Sequence, residues 1–102
     1  MLIAYITNKN KTEAKKIAKY LLSKKLIACA NIFPINSLYF WKGKLQDDKE
    51  VVLICKTSES KFSQLEHEVK KIHSYETPCI IKIECEANAE YENWIKNQVE
   101  VA

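Results

Sequence analysis

Ser37-Leu38-Tyr39-Phe40-Trp41-Lys42-Gly43-Lys44-Leu45 decides the fold. Ser37 to Lys42 is rich in the aromatic and apolar residues that suit extended chain. Gly43, the single glycine of the sequence, is the residue with free access to positive φ. The chain turns there and returns through Glu50 to Thr57, so the segment predicts a long hairpin. Its two arms, Leu38-Tyr39-Phe40-Trp41 and Val51-Val52-Leu53-Ile54-Cys55, put bulky apolar groups on both sides of any sheet they join.

Upstream, residues 2–7 read as a first strand. Asn10-Lys11-Thr12-Glu13 resembles a capping box. Ala14, Ile17, Ala18, Leu21 and Leu22 then form one apolar helical stripe, closed by Lys24 and Lys25. Leu26 to Phe33 reads as a second strand ended by Pro34. Downstream, Ser58 or Ser60 is the candidate cap of a second helix with the stripe Phe62, Leu65, Val69 and Ile72. Residues 79–85 follow as a strand, and Tyr91, Trp94, Ile95 and Val99 mark a closing helix. This βαββαβ order over 102 residues predicts one domain, residues 1–102, of α+β class: a ferredoxin-like sandwich with an antiparallel sheet, both helices on one face, a long hairpin and a C-terminal helix.

Such a sandwich leaves the other sheet face bare, and these strands do not suit a bare face. A ring such as Trp41 buries about 150–250 Å², and several exposed together exceed what a soluble monomer shows. A second copy of the chain is the simplest cover, which predicts an obligate homo-oligomer. The alternative cover is the closing helix, which is short enough to mask only part of the face. Tyr39, Phe40 and Trp41 read as assembly core rather than as a ligand cage.

All sixteen cations are lysine, against thirteen acidic residues, for a net charge of +3. Arginine, the usual fork for phosphate and guanine, is absent, which argues against nucleic-acid partners. An RNA-recognition reading of the same element order fails as well, because Val51 to Cys55 offers neither aromatics nor glycine for base stacking. No apolar run approaches the roughly 18–20 residues of a membrane span. Met1 to Ile6 lacks a basic leader, so a cytoplasmic location is expected. Cys29, Cys55, Cys79 and Cys85 form no C-x-x-C pair and lie in or beside apolar runs, where free cysteine behaves as a small hydrophobe.

His73-Ser74-Tyr75-Glu76-Thr77-Pro78 joins the second helix to an apolar strand and carries an imidazole, a phenol and a carboxylate within four residues. It reads either as a helix end, His73 complementing the dipole, or as a polar site held by a rigid scaffold. His67, set among charged residues, reads as a solvated side chain. Lys56, ending an apolar strand, is expected to snorkel or to pair with Glu50 or Glu76.

Several blocks in order, Leu26-Ile27-Ala28-Cys29-Ala30-Asn31, Ser37 through Leu45, Glu50 through Lys56-Thr57, His73 through Pro78, and Tyr91-Glu92-Asn93-Trp94, resemble the CutA family of divalent-cation tolerance proteins across nearly the whole chain. The resemblance implies a homotrimer of ferredoxin-like protomers whose hairpins wrap their neighbours. It also implies a role in tolerance of copper and other divalent ions rather than an enzymatic one. Carried over by position, it places Cys29, Trp41, Lys56, His73, Tyr75 and Glu76 near a cleft between subunits, with Tyr39 beside them. Members proposed to bind copper have a cysteine where this chain has Ile6, a histidine where it has Ile72, and a proline where it has Ser74. His73, Cys29 and Glu76 are then the candidate ligands for Cu²⁺ or another divalent cation, since imidazole and thiolate suit such ions.

Two other chemistries use the same residues. Cys29 as nucleophile, His73 as base and Glu76 as orienting group would make a thiol enzyme. Lys56 and neighbouring lysines would instead hold an anion or nucleotide in a sensing scaffold like the trimeric PII proteins, although no glycine-rich phosphate loop is present.

Overall fold

The computed structural model describes residues 1–100. Its elements run β1 (Leu2–Asn8), α1 (Lys11–Ser23), β2 (Cys29–Trp41), β3 (Lys44–Thr57), α2 (Phe62–Ile72), β4 (Ile80–Glu84) and α3 (Ala89–Val99), with a short 3₁₀ turn before α2. The four strands form one antiparallel sheet in the order β2-β3-β1-β4. No helix is long and apolar enough to cross a membrane among the described residues.

Alternation along the strands sorts the sheet into two faces. Ala4 and Ile6 of β1 lie opposite Cys55 and Leu53 of β3. They form one core with Ala14, Ile17, Ala18 and Leu21 of α1 and Leu65 and Val69 of α2. Tyr20 and Glu68 join the two helices by a hydrogen bond from the phenol to the carboxylate. The opposite face is only partly covered. There α3 lies beside β3, with Ile95 and Val99 buried and the Tyr91 hydroxyl 3.4 Å from Lys56 Nζ.

The hairpin is longer than the sequence predicts. Pro34 does not end the second strand; β2 continues through it, and the two extended runs are one. Only an edge strand tolerates a missing N–H at such a position, and β2 is an edge. The turn also differs from a glycine-only bend. Lys42 shares the positive φ, at 50°, with Gly43 at 78°, the signature of a two-residue type I′ loop. The 14 residues of β3, at about 3.4 Å each, account for the 48 Å long axis of the molecule. The Cα radius of gyration is 14.3 Å, against about 13 Å for a compact domain of this size.

β1 pairs with β3 only over residues 51–57 of the latter. Beyond that point the hairpin is a bare two-stranded ribbon, an arrangement with little stability of its own in water. Its faces differ in chemistry. Leu38, Phe40 and Leu45 share one face and are 68%, 74% and 63% exposed; Trp41, on the other, is 62% exposed. The aromatic run read as a single assembly core is thus divided, Phe40 to one side and Tyr39 and Trp41 to the other.

Two further expectations are revised. Neither Ser58 nor Ser60 caps α2 with its side chain; the 3₁₀ turn supplies the entry instead. At α1, Asn10 Oδ1 does accept from the Glu13 N–H at 2.8 Å, but the Glu13 carboxylate does not complete the box on Asn10.

Candidate functional site

The loop after α2 is held by side chains from three places in the sequence. His73 is the C-terminal cap of α2. Its Nε2 lies 2.8 Å from the Thr7 carbonyl oxygen, and its Nδ1 lies 3.0 Å from the Tyr75 N. A carbonyl only accepts, so Nε2 carries the proton and donates, which leaves Nδ1 bare to accept the Tyr75 N–H. Both ring nitrogens of His73 are therefore committed to the backbone.

Glu13 is the second anchor, at 7% exposure. One carboxylate oxygen accepts the Lys9 N–H at 3.0 Å and the other the Ser74 N–H at 3.0 Å. Burial alone would raise its pKa; the hydrogen bonds from Ser74 and Lys9 outweigh it and hold the carboxyl below its ordinary value. A residue legible only as a helix-start signal is thus a strut between the start of α1 and the loop.

Tyr75 is the third. Its hydroxyl donates to Glu50 Oε2 at 2.6 Å, joining the loop to β3. Burial, then the carboxylate it faces, raises the phenol above its usual range. Farther along the ribbon the Tyr39 hydroxyl donates to Asp48 Oδ2 at 2.6 Å, and that bond raises its pKa too.

Loop and ribbon enclose a groove of about 820 Å³ whose walls include Tyr39, Trp41, Glu50, Tyr75, Glu76 and Cys79. Of the residues singled out by sequence, Tyr39, Trp41, Tyr75 and Glu76 are brought together there, and His73 sits behind them as a brace. Cys29 and Lys56 are not part of it. They face each other across β2 and β3, and Lys56 pairs with Ile3 of β1. Thr7, which holds His73, is four residues along that strand, about 13 Å at 3.3 Å per residue. Glu50 and Asp48, which the sequence singled out only as a partner for Lys56 or not at all, are what the phenols bind.

Residues 2–98 match the family described as CutA1 divalent ion tolerance protein. The chain belongs to that family. It is 48% identical to the divalent-cation tolerance protein CutA of Archaeoglobus fulgidus over 94% of this chain and 95% of that one. The solved structure of the periplasmic divalent cation tolerance protein CutA from the same organism superposes with a TM-score of 0.93, at 46% identity over 97% and 99% of the two chains. A PII-like protein CutA from Nostoc superposes with a TM-score of 0.88, at 31% identity over 97% of each.

Within this CutA1-family chain no three His, Cys, Asp or Glu side chains gather as a metal-binding group among the described residues. His73, Cys29 and Glu76 do not converge, and the thiol-enzyme arrangement of Cys29 with His73 is likewise separated. Lys56 pairs with neither Glu50 nor Glu76; its ammonium lies over the Tyr91 ring, 5.4 Å from the centroid. His67 is solvated as expected, its side chain 73% exposed. Of the cysteines only Cys55 is fully buried; Cys29, Cys79 and Cys85 are half-buried.

Proposed function

We propose that this CutA1-family chain acts in divalent-cation tolerance as a homotrimer of ferredoxin-like protomers, reading its ligand in clefts between subunits. The exposed apolar ribbon face carries the reading. Leu38, Phe40 and Leu45 stand on a two-stranded projection that lacks a core of its own, and burying each is worth about 1.5–3 kcal/mol. Neighbouring copies that cover this face bring their own loops and ribbons alongside the groove. The protein is cytoplasmic in this reading, takes neither nucleic acid nor membrane as partner, and works without catalysis.

Cu²⁺ or another divalent cation is the proposed ligand, with His73, Cys29 and Glu76 as candidate donors. One protomer does not fit such an ion as it stands. A chelate of these three has to be gathered across chains, with His73 giving up one of its two backbone hydrogen bonds. A PII-like sensing scaffold is the second reading. It is favoured by a groove of small-molecule size whose two phenols are hydrogen-bonded to carboxylates, and by the Nostoc relative's description as PII-like.

Sedimentation and titration calorimetry test both readings. A trimer at micromolar concentration, dissociated by Phe40→Asp, supports the assembly; a well-behaved monomer refutes it. Saturable Cu²⁺ heat lost in His73→Ala supports the metal reading, and an unchanged isotherm removes His73 from it. Heat with a nucleotide and none with Cu²⁺ or Zn²⁺ selects the sensing scaffold.

A further inference from the structure

The groove beside the Tyr75 loop is walled by aromatic rings and carboxylates, with small hydroxyl residues, Leu38, Gln46 and Cys79 between them. Tyr39, Trp41 and Tyr75 stand in it with Glu50 and Glu76, and no lysine lines it, in a chain with 16 lysines and a net charge of +3. The polar groups are already oriented. Each phenol commits its only proton to a carboxylate, Tyr75 to Glu50 and Tyr39 to Asp48. What remains on each toward a ligand is an oxygen lone pair and an electron-rich ring. The Gln46 amide nitrogen donates to the Lys44 carbonyl at 3.4 Å, which leaves its side-chain oxygen free to accept.

Such a lining suits a cation, and the rings say which kind. A divalent metal ion wants several anionic or imidazole donors converging on one point, and no such group forms among the described residues. Aromatic faces backed by carboxylates instead match an ammonium group carrying carbon. One of these rings already attracts an ammonium from beside the groove: Lys42 Nζ lies 5.9 Å from the centre of the Trp41 ring. Tyr39, Trp41 and Glu50 occupy the ribbon face opposite Leu38, Phe40 and Leu45, and Leu38 lies at the groove's edge, so the site adjoins the proposed assembly surface.

We infer that this groove binds a small organic ammonium ion, a protonated or quaternary alkylamine, between the rings of Tyr39, Trp41 and Tyr75 and the carboxylate of Glu50. The inference deepens the reading of the groove as the ligand-reading cleft and rests on it.

Trp94→Phe leaves Trp41 as the only tryptophan, and its emission reports the groove. Titration with tetramethylammonium chloride at matched ionic strength is expected to give a saturable change. Sodium chloride and tert-butanol, a neutral molecule of similar shape, are expected to give none. Glu50→Gln weakens the response about tenfold, within the range of a desolvated cation–ring and carboxylate contact. Lys42→Asn suits the positive φ of the turn and removes the resident ammonium, so it tightens binding about two- to threefold. An equal response to tert-butanol, or affinity unchanged in both variants, overturns the site. No tetramethylammonium response beside an intact Cu²⁺ isotherm overturns the ammonium site alone; a monomer without Cu²⁺ heat overturns the reading beneath it.

Discussion

Glu13→Gln tests whether one buried carboxylate positions the whole loop. In the structure its two oxygens accept two backbone N–H groups, from Lys9 and Ser74, each at 3.0 Å. Glutamine offers one oxygen and turns an NH₂ toward the other donor, so one charge-assisted bond is lost and the other becomes neutral. Hydrogen bonds to charged groups contribute about 1.5–3 kcal/mol, so local opening becomes easier by about 2 kcal/mol, equivalent to about 30-fold faster amide exchange. Hydrogen exchange followed by mass spectrometry on peptides covering residues 9 and 74 measures this directly, comparing both proteins at the same pH. The pH dependence has a defined sign. The folded carboxyl titrates below its ordinary value of 4.5, so its stabilisation is present above that value and lost as pH falls through the lower folded one. The gap between the two proteins therefore narrows in acid. Exchange at Ser74 and Lys9 that is unchanged near neutral pH refutes the strut.

Tyrosinate absorbance from Tyr75 and Tyr39 should rise late. Tyr75 and Tyr39 both titrate above 10, so their protonated forms stabilise the fold below that pH, and the contribution fades as pH climbs through the higher folded values. Tyr75→Phe and Tyr39→Phe should each delete late amplitude only; loss of early amplitude contradicts the assignment. Burial, with a smaller effect of Cys29 nearby, pushes the Cys55 thiol up to about 12, so iodoacetamide at mild alkaline pH should label Cys55 only after unfolding, and labelling of the native protein there disproves its burial. Asn10→Ala removes the side-chain cap of α1 and should cost about 1 kcal/mol in denaturant titration, while Asn10→Asp costs little; equal losses argue against the cap.

Sequence by itself determined the order of the elements and the buried side of α1 and α2, while Leu22 and Trp94, which the periodicity puts in apolar stripes, are 42% and 44% exposed. Apolar periodicity in Ala14–Leu21 and Leu65–Val69 specifies which helical side is dry, and Gly43 specifies where the hairpin reverses, because such preferences depend on neighbours a few positions away. Pro34 shows the limit of local reading: it stops a central strand but not an edge strand, and only the sheet order decides which kind it occupies. The groove was half legible. Tyr39, Trp41, Tyr75 and Glu76 could be singled out as residue types, yet their partners could not. Tyr75 meets Glu50 across 25 positions and Ser74 meets Glu13 across 61, contacts set by strand register and by how α1 and α2 lie against the sheet. The same register placed Cys29 at the far end from His73 and divided the aromatic run between two faces. Tertiary structure alone decided these pairings, because a hydrogen bond forms between whichever groups folding brings within reach, and nothing in either residue's own sequence neighbourhood encodes the other.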